Sequence, residues 1–344
     1  MKNRGSILVL ALWSVVLMSV LCISLGYGVR QKAVLINRLV NAQSLREITY
    51  SGIERARGVI QAVNDPMRKA DTLTSPWANQ SANFREIAIG DRGAFSISHK
   101  GRELGGDRWV DVYGLTDEER KIPLNFTDPQ TMAALLENTV EMGHSEAEEL
   151  AYAIIDWQDK DFGHQHPQYG AEDSEYGDLD LPYEAKDAPY ECLEELYLVK
   201  GINAEIFDKI KDFVTPFGEG AVNINTAPKE VLWALSRDQY LADKIIKYRA
   251  GPDQDEGTSD DRFFGDVNTI FLELNGVILL NLQEQAEIEK MVTENKLTTI
   301  SKYFSVRCRG TLNKNGSFMD SNAVIDTDGR VLYHHISEIQ LANA

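Results

Sequence analysis

Carboxylates are the residues in this sequence that crowd closely enough to do chemistry. From Glu146 to Glu191 there are fourteen Asp and Glu against two bases, Lys160 and Lys186. Carboxylates this crowded repel one another unless a cation screens them, and Ca²⁺ takes about six to eight oxygen ligands. The candidate ligands are Asp159, Asp161, Glu172, Asp173 and Asp187, with Asp178 and Asp180 in reserve. A solvated acidic loop is the plainer alternative. Against it, the stretch also carries Trp157, Tyr169, Tyr176 and Tyr183, aromatic residues that suggest ordering. The pattern is not an EF-hand, because neither Asp159-Lys160-Asp161 nor Asp173-Ser174-Glu175 continues into the loop of about twelve residues. His164 and His166 stand beside the carboxylates, but the spacing offers no third nitrogen or sulfur for zinc, so they read as loop histidines. A second acidic group, 253–261, reads as a flexible loop.

Nucleophilic and nucleotide chemistry find no support. The sequence holds no G-x-S-x-G, no P-loop and no H-E-x-x-H. A pair such as Asp159 and Asp161 is glycosidase chemistry only if the two carboxylates face each other across a pocket, which nearness in sequence does not establish. The expectation is therefore a binding or assembly protein and not an enzyme. A formal charge of −18 repels phosphate backbones, so nucleic acid is not an expected partner. Cys22 lies in an apolar run. Cys192 and Cys308 remain, either as two thiols or as one bridge, and no C-x-x-C suggests thiolate zinc.

The elements that position these residues begin with the N-terminus. After Met1-Lys2-Asn3-Arg4-Gly5 comes an uncharged stretch, 6–29, bounded by Arg30. As a helix it spans about 35 Å, enough for a hydrocarbon core of about 30 Å. Lys2 and Arg4 keep the N-terminus in the cytoplasm and place the rest outside. A cleavable secretory signal would end in small residues of the A-x-A type, whereas this run ends Leu25-Gly26-Tyr27-Gly28-Val29. Apolar residues continue at threes and fours from Leu35 through Ile48 and Ile60 to Val63, predicting one helix over 6–63, about 85 Å long. Asn64-Asp65-Pro66 ends it.

Strand patterns follow at 85–89, 93–98 and 108–114. Helices are predicted over 131–138, 145–157, 192–199, 204–213, 229–235, 239–250 and 282–295. Strands return at 303–310, 321–326 and 330–336. Strands on both sides of a helical block make an α+β fold in which a helical domain interrupts a sheet.

The N-terminus resembles that of type IV pilins and type II secretion pseudopilins, in which a short basic leader ends in Gly and a prepilin peptidase cuts before the apolar helix. The matching junction is Gly5-Ser6. The fifth position after the cut is usually Glu in that family, pairing with a neighbouring subunit's N-terminal amine. Here it is Leu10, an apolar choice similar to the K-type minor pseudopilins of type II secretion. A subunit with none above it has no such pair to make, and an unpaired charge in lipid is costly. The D-W, D-x-D and G-A-E-D pattern from Asp156 to Asp173 resembles the same subclass and implies calcium. Leu193 to Ile202 and Val222-Asn223-Ile224-Asn225-Thr226-Ala227-Pro228 resemble helix-hairpin-helix modules, with Thr226 as N-cap and Pro228 in the first turn. The residues 236–239 lack the glycines that would bind phosphate, and the first hairpin keeps only Gly201.

The resemblance implies a pilin-like long N-terminal helix packed on an antiparallel sheet, with a large all-α domain inserted. Its parts are a leader (1–5), a membrane segment (6–29), the first part of the pilin-like domain (30–114), the helical insert (115–290) and the C-terminal strands (291–344). It further implies a single-pass protein of the bacterial inner membrane, in contact with its lipid, with the bulk in the periplasm. The implied role is a tip subunit that primes or caps the pseudopilus. Expected partners are the I-type and J-type minor pseudopilins and the major pseudopilin, with prepilin peptidase as processing enzyme. The alternatives are a minor pilin of a type IV pilus, a membrane-anchored DNA-uptake protein and, last, a metal-dependent periplasmic hydrolase.

Overall fold

The computed structural model describes residues 4–65, 67–102, 109–160, 166, 168–171, 173–177 and 182–342. Helix α1 (Arg4–Val63) runs unbroken for 60 residues, about 90 Å at the usual rise. Its interior has no proline, and its serines cause no break. The hydroxyls of Ser14 and Ser19 donate to the carbonyls of Leu10 and Val15 one turn back, so neither is left unsatisfied on an apolar surface. Only the last third packs inward, where Leu45, Ile48, Ile53, Ala56 and Ile60 are buried.

That third lies on an antiparallel sheet. After α2 (Ser81–Phe84) come β1 (Ile87–Ile89), β2 (Gly93–Arg102), β3 (Trp109–Tyr113) and β4 (Thr116–Asp117). The chain leaves for the helical domain and returns as long strands near its end, so strands far apart in sequence are neighbours. The order is β1-β2-β9-β10-β11, with β9 (Tyr303–Leu312), β10 (Phe318–Asp326) and β11 (Val331–Gln340). Strand β2 pairs with β9 over Gly93–Ile97 and with β3 over Ser98–Arg102, and β4 takes the place beside β9 that β2 vacates. Alternation in β9 sends Phe304, Val306, Cys308 and Leu312 to the helix face. Gly52 permits the contact, because a Cβ there would stand 2.3 Å from Cys308 Sγ.

The helical domain has its own core, running from Ile122 and Leu124 to Met291 and Leu297. It contains β5 (Ile122–Pro123), α3 (Pro129–Val140), α4 (His144–Asp156), α5 (Asp173–Gly177), α6 (Ala204–Ile210), β6 (Val214–Thr215), β7 (Val222–Asn223), α7 (Lys229–Ser236), α8 (Gln239–Arg249), α9 (Ile270–Asn275), α10 (Leu282–Thr293) and β8 (Leu297–Thr298). Helix starts follow local chemistry. Asp128 caps α3 ahead of Pro129, Asn203 caps α6, Asp238 caps α8, and Asn281 with Glu284 forms a capping box on α10. Two short parallel pairs, β5 with β6 and β7 with β8, close the base where the chain enters and leaves.

Some expectations need correction. The helix over 192–199 is a 3₁₀ turn, Leu193–Leu198. The helix over 204–213 stops at Ile210, because Phe213 turns to accept from the Ile122 amide just ahead of β6. Thr226 is not an N-cap. Pro228 takes the position before α7, and the Thr226 hydroxyl is used elsewhere.

Candidate functional site

Three places bear on function: the exposed length of α1, the acidic loop, and the junction between the two domains. Gly5 and Ser6 lie on the helical backbone of α1, and Leu10 is 67% exposed on its surface. Residues from Ile7 onward are long and apolar enough to cross a membrane, and the most apolar window buries nothing within the chain. Beyond Arg30, Leu35, Ile36, Leu39 and Val40 are still more than half exposed. An apolar helical stripe that its own fold leaves uncovered is a surface for other helices or lipid.

The acidic loop is built on aromatic rings. Trp157, buried at the end of α4, meets Tyr176 edge-on at 5.2 Å and Tyr183 at 6.1 Å, while Tyr176 and Tyr183 stack at 5.3 Å. Tyr190 donates its hydroxyl to the Ile154 carbonyl and anchors the far end of the loop. The backbone closes over these rings. The Asp187 amide donates to the Trp157 carbonyl (3.2 Å), and the Ala185 amide donates to Asp173 Oδ1 (2.8 Å). Asp187 adopts a left-handed φ of 52° to make this turn. Asp159 follows two residues beyond Trp157.

Asp161, Glu172, Asp178 and Asp180 lie outside the described residues. Among the described residues no three His, Cys, Asp or Glu side chains form a metal-sized group. The donor set is all oxygen, and Asp173 keeps its second carboxylate oxygen outside the Ala185 bond, which suits a hard cation over zinc. Beside the loop, His166 stacks on Tyr169 at 4.6 Å. The second acidic group is tied rather than loose. The Asp253 amide donates to Asp260, the Gly257 amide donates to Asp261, and the Thr258 hydroxyl donates to Asp260.

The junction is the place that the sequence reading missed. Asp117, fully buried at the end of β4, accepts from Ser301 Oγ (2.6 Å), Thr226 Oγ1 (2.5 Å), Asn223 Nδ2 (3.1 Å) and the Glu119 amide (2.8 Å). Asn223 also donates to the Asp71 carbonyl and to Ser301 Oγ. Asp71 accepts from the Trp77 indole and the Ser301 amide, and pairs with Arg68 at 3.2 Å. Glu119 accepts from the amides of Lys302 and Tyr303. Burial raises Asp117 to about 6, against the pull of the Ser301 and Thr226 hydroxyls. Burial and then the Asp117 charge push Glu119 well above the usual carboxylate range. Burial also acts upward on Glu118, but the Lys121 ammonium outweighs it and holds that carboxyl low. The available signal was the polar character of Asn223, Asn225 and Thr226 among apolar residues, which reads as turn chemistry unless their partners are known.

The same segment spends its backbone amides internally. Asn223, Ile224 and Ala227 donate to Glu119, Thr298 and Asn223 carbonyls, and Arg249 holds the Ile224 and Ala227 carbonyls. Cys192 and Cys308 are both thiols. Cys308 faces α1, donating to the Thr49 carbonyl, and its burial raises it to about 12.

Comparison with known proteins places the chain beside a secretion-system family and a solved fold. Residues 115–217 match the family model described as type II secretion system (T2SS), protein K. The fold is similar to a chain in the crystal structure of the GspK-GspI-GspJ complex from the enterotoxigenic Escherichia coli type 2 secretion system. The TM-score is 0.65 at 21% identity, over 88% of this chain and 99% of that one. No curated protein matches the chain by sequence.

Proposed function

We propose that this chain, a type II secretion minor pseudopilin of the K type by its family match and its fold, sits at the tip of the pseudopilus and primes or caps its assembly. The observation that carries this reading is the helical domain. It is a second core larger than the pilin-like one, and it is attached where β4 leaves the sheet and β9 re-enters it. A filament of stacked helices tolerates such bulk at its end, where nothing must pack above it. Leu10 agrees, since an end subunit has no neighbour whose N-terminal amine needs a carboxylate.

The partners on this reading are the I-type and J-type minor pseudopilins, the class of assembly named in the related crystal structure, with the major pseudopilin below. They would dock along the uncovered stripe of Leu35, Ile36, Leu39 and Val40. Prepilin peptidase would cut between Gly5 and Ser6. The helix then stays in inner-membrane lipid, and the folded part stands in the periplasm. The work is mechanical, so no substrate is assigned. A DNA-uptake role is disfavoured because the turn over 236–239 has no glycine and the chain carries a formal charge of −18.

Calcium belongs to the same proposal. Asp159, Asp173 and Asp187, with Asp161 and Glu172 from the same stretch, would hold it. Its charge would offset the crowding of carboxylates over Trp157 and Tyr183.

Purification of the full-length chain in detergent with the I-type and J-type pseudopilins of the same genome tests the assembly. One co-eluting complex, lost when Leu35 and Leu39 are replaced by Asp, is expected. Separate elution of the unaltered chains would overturn the tip assignment.

A further inference from the structure

The junction between the domains holds more acid than base, and that imbalance has a consequence. Glu118 has Lys121 at 2.7 Å, Asp71 has Arg68 at 3.2 Å, and Arg249 has Glu256. Farther out, Arg307 faces Asp212 and Lys302 faces Glu219, both exposed pairs. Among the described residues this leaves two buried carboxylates, Asp117 and Glu119, with the Arg120 charge acting on Asp117 and Tyr303 as the neighbouring phenol. Two buried carboxylates with one counter-charge are stabilised by taking up one proton.

The geometry can hold that proton. Two of the four donors to Asp117 are hydroxyls, those of Thr226 and Ser301, and a hydroxyl can rotate from donor to acceptor. A protonated Asp117 would therefore lose no partner. Those donors come from both sides of the junction. Asn223 and Thr226 belong to the helical domain, and Ser301 lies on the return path to the sheet.

We propose that this junction is a proton-responsive latch. With one proton shared by Asp117 and Glu119 the helical domain is held against the pilin-like domain, and release of that proton to water loosens the contact. The latch would set how firmly the bulky domain is oriented on the helix that carries it. It stands apart from the tip reading and survives if that reading fails.

The sign follows from linkage. Asp117 titrates higher in the closed junction, at about 6, than in an open one, near 3.8. Its contribution is complete below pH ~4 and is lost as pH rises through ~6.

The test is amide hydrogen exchange by mass spectrometry on the full chain in detergent with a calcium chelator, following peptides over 117–121, 222–227 and 299–303. Corrected for intrinsic exchange, the opening constant of the unaltered protein should rise about tenfold from pH 5 to pH 7. Asp117→Asn should flatten that rise. If Asp117→Asn does not fold, Glu119→Gln gives the same reading. The infrared carbonyl band of a protonated carboxylic acid, stronger at pH 5 in the unaltered chain than in Asp117→Asn or Glu119→Gln and weaker at pH 7.5, is the companion reading. An opening constant that does not change with pH, a rise equal in both variants and the parent, or a protonated-acid band at pH 5 no stronger than in the variants would each overturn the latch.

Discussion

Asn223 donates one amide nitrogen to three acceptors: the Asp71 carbonyl, Asp117 Oδ2 and Ser301 Oγ. Its backbone amide meets Glu119, and its side-chain oxygen receives the Asn225 amide. One residue of the N-I-N-T-A run thus touches three separate segments, all buried. Asn223→Ala should cost about 2–4 kcal/mol in chemical denaturation, because it takes one donor from a buried carboxylate and removes several other buried bonds at once. A loss below ~1 kcal/mol would mean that the junction does not bear on stability. Thr226 shows the limit of residue-level reading. Thr followed closely by Pro resembles a helix start, yet its hydroxyl serves Asp117, because a buried acid competes better for it than the α7 amides do.

At the scale of elements, helix α1 and strand β9 meet through small groups. Gly52 lies against Cys308 Sγ, and Gly310 lies against the Thr49 side chain. Gly52→Ala should push the helix off the sheet and destabilise the folded part by about 1–3 kcal/mol, the usual range for overpacking. Cys308→Ala alone leaves a cavity and also destabilises. Combined with Gly52→Ala it should recover part of the loss, a coupling that a double-mutant cycle in thermal melts would show. Strict additivity of the two changes would sink this account of the contact. The helix itself was legible because apolar positions recur without a breaker over its length. The strands were legible as alternation, but not their partners, since β2 pairs with a strand more than two hundred positions later.

At the scale of the whole molecule, the proposed calcium site predicts a change in overall stability. Calcium at about a hundredfold excess over its dissociation constant stabilises a folded domain by about 2.7 kcal/mol. The melting temperature of the full chain should therefore rise when chelator is replaced by calcium. Asp187→Asn should remove most of that rise, and an unchanged melting temperature in calcium would retire the metal site. The sequence by itself determined the long apolar N-terminal helix, the α+β class and the helical block between strands. Each of these is written in local periodicity, in charge and in the residues that stop a helix, all of which act over a few positions. Only the tertiary structure decided that Asp71, Asp117, Asn223 and Ser301 meet. It alone seated Asp187 on the Trp157 carbonyl and bonded the amides of Asn223, Ile224 and Ala227 internally. These contacts join segments tens to hundreds of residues apart, and burial changes the acidity of the groups they enclose. A linear pattern carries neither the distance nor the loss of water.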